Sequence, residues 1–104
     1  MDRIEKLKEF LVADPHDAFV KHALALEYSK LGDEAAARRL WEEILLRDPA
    51  YVGSYYHLAK LLERTGDRAV ALQWYEKGMT AAKAAGEHRA YHELEAAYED
   101  LADG

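Results

Sequence analysis

The residues of this chain that could do chemistry are few and dispersed. His88 and His92 stand four apart with Glu95 beyond them, so on one helix they could offer two imidazoles and a carboxylate to a metal ion. A zinc site needs three or four ligands. The chain has no cysteine, and Glu93 follows His92 instead of lying between two histidines. Ser29 and Ser54 are expected in helices and are not set in a Gly-x-Ser-x-Gly turn, and the six glycines are too scattered to form a phosphate-binding loop. Glu42-Glu43 and Glu99-Asp100 are expected to face solvent or form ion pairs, and His16, next to Pro15, reads as a turn residue. The expectation is a protein that is not an enzyme, with no metal site and no cofactor.

Composition narrows the remaining choices. Half of the 104 residues are apolar and a third are charged, a balance that folds. The formal charge of −6 opposes phosphate-rich partners, so neither nucleic acid nor an acidic membrane surface is expected to bind. Without cysteine there is no disulfide framework. The start of the chain, Met1-Asp2-Arg3-Ile4-Glu5-Lys6, lacks the apolar core of a signal peptide, and no run approaches the ~20 apolar residues of a membrane span. The expected location is cytoplasmic.

What positions the side chains is a repeat. Displaced by 34 residues, Asp14-Pro15 falls on Asp48-Pro49, Leu24-Ala25 on Leu58-Ala59, Gly32-Asp33 on Gly66-Asp67, Ala37 on Ala71, Trp41 on Tyr75 and Glu42 on Glu76. A period of this length marks a helical-repeat array. Apolar residues at three- and four-residue intervals predict helices over residues 2–13, from Asp17 to Gly32, over 34–47, 51–65 and 68–85, and over 87–102. Asp-Pro ends the first and third, and Gly-Asp closes one helix while opening the next. Lys83 stands where a third proline would fall, so the fifth helix continues to Ala85, about 27 Å at about 1.5 Å per residue. Gly78 inside it predicts a close helix approach, with Tyr91 or Tyr98 as the expected neighbour. Ion pairs Glu34–Arg38 and Glu43–Arg47 are expected on the third helix.

These residues resemble the tetratricopeptide repeats, whose units carry W-x2-L-G-x2-Y, then A-x3-F, then P. Lys21-x2-Leu24-Ala25-x2-Tyr28, Ala37-x3-Trp41 and Pro49 follow the pattern once, and Tyr55-x2-Leu58-Ala59-x2-Leu62 with Ala71-x3-Tyr75 follow it again. Tyr91-x2-Leu94-Glu95-x2-Tyr98 is similar to the first helix of a third unit. The resemblance implies an all-α, right-handed superhelical stack of antiparallel helix pairs, an α-solenoid of about six helices. As one domain over 1–104 it would comprise a half-unit (1–14), two repeats (18–51 and 52–85) and a capping helix (87–102).

The resemblance also implies a function. The first helix of each unit lines a concave groove, which here would present Phe19, His22, Leu26 and Ser29, then Tyr56, His57, Lys60 and Arg64, then Arg89 and His92. Aromatics and cations suit a partner protein or peptide, and an acidic peptide or one bearing a C-terminal carboxylate would suit such a surface. Family members that clamp a chaperone's C-terminal carboxylate place Lys and Asn where this chain has His22 and Leu26, so that clamp is absent. The rival expectation is a homodimer seeded by Phe10, Leu11, Tyr51 or Trp74.

Overall fold

Short acidic residues cap the starts of the first three helices. The computed structural model describes residues 2–104 and contains α1 (Arg3–Ala13), α2 (Ala18–Lys30), α3 (Glu34–Arg47), α4 (Gly53–Arg64), α5 (Arg68–Ala85) and α6 (His88–Asp103). Asp2, Asp17 and Asp33 each accept a backbone N–H three residues on, at 2.9, 3.1 and 3.2 Å. Each thereby satisfies one of the donors that a helix start leaves unpaired. Helix ends use the mirror device. Gly32 and Gly66 take φ of +83° and +85°, and Asp33 N–H and Asp67 N–H then reach back to the carbonyls of Tyr28 and Leu62 at 2.9 and 2.8 Å. No strand occurs among the described residues.

The helices gather into two compact units, the first ending at Asp48 and the second running Pro49–Gly104. In the first, α1 packs on α2 and α2 on α3. Leu7, Val20 and Leu24 form a buried cluster, joined by Ile4, Leu11, Ala23, Tyr28 and Leu40. Ala25 and Ala37 are wholly buried, as small residues must be where helix backbones approach, and Trp41 is 1% exposed. Lys21 is buried too. Its ammonium lies 3.5 Å from Glu43, and Arg38 pairs with Glu42 at 3.3 Å. Glu43, expected to pair with Arg47, thus faces Lys21 of a neighbouring helix, and Arg38, expected to pair with Glu34, meets Glu42.

In the second unit α5 packs against both α4 and α6. Leu58, Ala59, Leu62, Ala71, Tyr75 and Ala82 have no exposed surface. The Tyr75 hydroxyl donates a short bond to Glu63, and Tyr55 donates to the carbonyl of Pro49 at 2.6 Å. Gly78 is indeed a close approach, but its neighbours differ from those expected. A Cβ there would meet Tyr55 at 2.7 Å and Leu94 at 3.1 Å, so it is Tyr55 of α4 and Leu94 of α6 that fill the space, and not Tyr91 or Tyr98. Tyr98 instead hydrogen-bonds Glu76, which raises its pKa. Arg68 closes the unit by donating to the carbonyls of Leu101 and Ala102 at 3.0 and 3.1 Å, satisfying acceptors at the end of α6.

Candidate functional site

Helix α4 spaces Tyr56, His57, Lys60 and Arg64 at one- to four-residue intervals, so they form a single surface stripe. Tyr56 is the hub. Its ring meets His57 edge-on at 5.9 Å and Tyr75 at 6.4 Å, and the Lys60 ammonium lies 5.7 Å from its centre. Lys60 also lies 3.5 Å from Glu63, the carboxylate that accepts from Tyr75. Glu63 therefore joins a buried tyrosine to a surface lysine. Tyr75 has its pKa raised by burial first and then by the bond to Glu63 and its charge.

Beside this stripe lies a cleft of about 240 Å³ lined by Val52, Gly53, Tyr56 and His57 from the α4 side and by Glu87, Ala90, Glu93 and Leu94 from the α6 side. Val52 and Leu94 are buried and give it an apolar floor, while Glu87 and Glu93 are exposed at its rim. The helix α6 residues expected here, Arg89 and His92, do not line it. Buried Leu94 and Ala97 fix the rotation of α6, and at 3.6 residues per turn His92 then falls on the far side. Arg89 is 95% exposed and pairs with Glu93 at 3.4 Å, and His92 faces Glu95 at 3.7 Å. Among the described residues, no group of three or more His, Cys, Asp or Glu is placed to hold a metal ion.

The half-buried His57 has its pKa lowered, first by burial and then by the charge of Arg64. A base whose folded pKa is depressed contributes stability above its unfolded value near 6.5, and that stability is lost as the pH falls through this range. Between pH 7.5 and 5.5 the thermal midpoint is expected to drop, and His57→Gln to remove part of that drop. Parallel slopes for the two proteins in calorimetry would count against this role.

In the first unit, Phe19, His22 and Leu26 come together as expected. With Arg3, Ala23, Glu27 and Lys30 they line a cleft of about 390 Å³. The Trp41 indole N–H donates to His22 Nδ1 at 3.1 Å, so in the neutral ring the hydrogen sits on Nε2. Glu27 is shared by Arg3 at 3.7 Å and Lys30 at 3.1 Å. Ala23, Glu27 and Lys30 continue the spacing that begins at Phe19 and were open to sequence reasoning. Arg3 was not, because its place depends on how α1 docks.

An all-α protein of consecutive helical hairpins, with clefts on the first helices of those hairpins, is a helical-repeat protein. The family model of the tetratricopeptide repeat matches residues 52–84. A tetratricopeptide repeat domain protein from Salinibacter ruber is 39% identical in sequence, and its solution structure superposes with a TM-score of 0.81 over 85% of this chain and 89% of its own. A TPR repeat-containing protein of Pseudomonas aeruginosa is 29% identical over 91 residues, 88% of this chain and 87% of that protein. The fold alone is shared with the TPR2B domain of yeast Sti1, solved as a complex with pHsp70, at a TM-score of 0.88 and 19% identity over 96% of this chain and 80% of that one. The chain belongs to the tetratricopeptide-repeat family.

Proposed function

We propose that this chain is a non-enzymatic protein-interaction module whose units each offer a face to a peptide or helix of a partner, α2 in the first and the face shared by α4 and α6 in the second. The observation that carries the reading is the α4/α6 cleft, whose apolar floor of Val52, Ala90 and Leu94 and aromatic wall of Tyr56 stay open on a well-packed scaffold. Aromatic side chains beside an apolar recess are what a protein partner uses as an anchor point. The TPR2B domain of Sti1, which shares the fold, was solved with pHsp70 bound, a precedent for this use of the scaffold. The partner-contacting residues would be Phe19, His22 and Leu26 on α2 and Tyr56, His57, Lys60 and Arg64 on α4, with Arg89 and His92 at most at the margin.

Self-association is the second reading. Phe10, Val12 and Leu46 are 52, 83 and 84% exposed in the first unit, apolar surface that a second copy could cover. Of the other residues expected to seed a dimer, Leu11 packs on the first core and Trp74 lies against Tyr55 and under Lys77, at 6.0 and 4.7 Å.

Gly53 offers the test. It lines the cleft, and a Cβ built on it has nothing within 4 Å, so a side chain can leave the backbone there without a clash. Gly53→Trp is expected to occlude the cleft and abolish binding of peptides selected on the wild type, with circular dichroism and melting unchanged. Undiminished binding would remove the cleft from the proposed face. Light scattering at two concentrations separates the dimer reading.

A further inference from the structure

We infer that the α4/α6 cleft receives a basic side chain, arginine or lysine, from a partner chain, with its methylene stem on Val52, Ala90 and Leu94 and its cationic head among Glu87, Glu93 and the Tyr56 ring. The inference rests on the interaction-face reading and specifies what that face selects. It reverses the acidic partner suggested by Lys60, Arg64, Arg89 and the histidines in the sequence.

Size comes first. At about 240 Å³ the recess is smaller than the roughly 300 Å³ at which small-molecule pockets begin, so it suits one side chain of a docked chain. Its composition then matches a side chain that is apolar along its length and charged at its tip, as arginine and lysine are. The rim supplies two carboxylates, and the wall supplies the Tyr56 ring, which already draws the Lys60 ammonium and can attract a second cation. Glu93 already pairs with Arg89, but that guanidinium is almost wholly in solvent and a carboxylate can accept about four hydrogen bonds, so acceptor capacity remains.

The cations that pointed to an acidic partner are partly answered within the chain. Lys60 has Glu63, and Arg89 has Glu93. His57, in the cleft wall, is pushed toward its uncharged form by burial and by Arg64, so at neutral pH it adds little positive charge. An acidic side chain would meet Glu87 and Glu93 at close range, a like-charge contact that disfavours it. The formal charge of −6 also favours the approach of a basic partner over longer distances.

The test uses the intact chain, with a phage-displayed random peptide library as the probe. Clones held by the wild type and lost on Gly53→Trp are the cleft binders. Arginine or lysine is expected to be enriched at one position among them. Replacing that residue by glutamine in the strongest synthetic peptide is expected to weaken binding at least about tenfold. The Glu87→Gln/Glu93→Gln protein is expected to lose as much toward the basic peptide while binding the glutamine peptide as the wild type does. Enrichment of acidic residues, equal affinity of the basic and glutamine peptides, or an unaffected double variant would overturn the inference and leave the interaction face standing. A library yielding no Gly53→Trp-sensitive clone would overturn both.

Discussion

Trp41→Ala is expected to lower the stability of the protein by about 3–5 kcal/mol, read as a shift of the denaturant midpoint with little change in slope. The side chain is 1% exposed, so its removal leaves a cavity that α2 and α3 can only partly close. Against the roughly 5–15 kcal/mol that holds an ordinary domain together, this is enough to populate unfolded chains at 37 °C. Trp41→Phe divides the effect. It restores most of the volume but not the indole N–H that reaches His22, and its cost is expected near 1 kcal/mol. Equal losses for the two variants would show that the hydrogen bond outweighs the packing.

Gly78→Val ranks next, at about 2–3 kcal/mol. At an open helix position valine would gain a few tenths of a kcal/mol over glycine from helix propensity alone. Here the added carbons are driven toward Tyr55 and Leu94. The first of those contacts is to the Cβ and Cγ of Tyr55, at 2.7 and 3.0 Å, atoms close to the backbone that cannot swing aside. Steric cost therefore exceeds propensity gain. The measurement is a thermal melt followed at 222 nm, and an unchanged or raised midpoint would mean that α4 and α6 yield more easily than their packing suggests. Gly53→Ala is the natural control, because nothing stands near its added methyl group.

Much of the architecture could be read from the residues because its signals are local. Gly32-Asp33 and Gly66-Asp67 act through their own backbone angles and the N–H bonds that close the preceding helix. Asp33 alone of the two aspartates also caps the next helix with its side chain. A 34-residue offset between two such pairs leaves few other folds. The long α5 was legible for the same reason, since Lys83 replaces a helix-ending proline. The candidate site was harder to see. Phe19, His22 and Leu26 share a face by spacing alone and do line one cleft. Arg89 and His92 were placed by spacing as well, but α6 can be rotated about its axis without changing its pattern, and only the burial of Leu94 and Ala97 settles which side meets α4. Charge, too, is only partly legible in a sequence. Lys60 and Arg89 count as free cations in a sequence, whereas Glu63 and Glu93 stand beside them on the folded helices. The environment of Gly78 shows the same limit: a glycine announces a close approach without naming what approaches.

The hydrogen bonds from Arg68 to the carbonyls of Leu101 and Ala102 span 33 and 34 positions, the length of one repeat. Within each unit, helices pack chiefly on the helix next to them in the chain. Little entropy is therefore spent bringing remote segments together, and topologies of this kind fold in microseconds to milliseconds. Each helix of a unit makes its contacts mainly with the one before or after it, so an emerging chain can bury its apolar stripes step by step as successive helices appear.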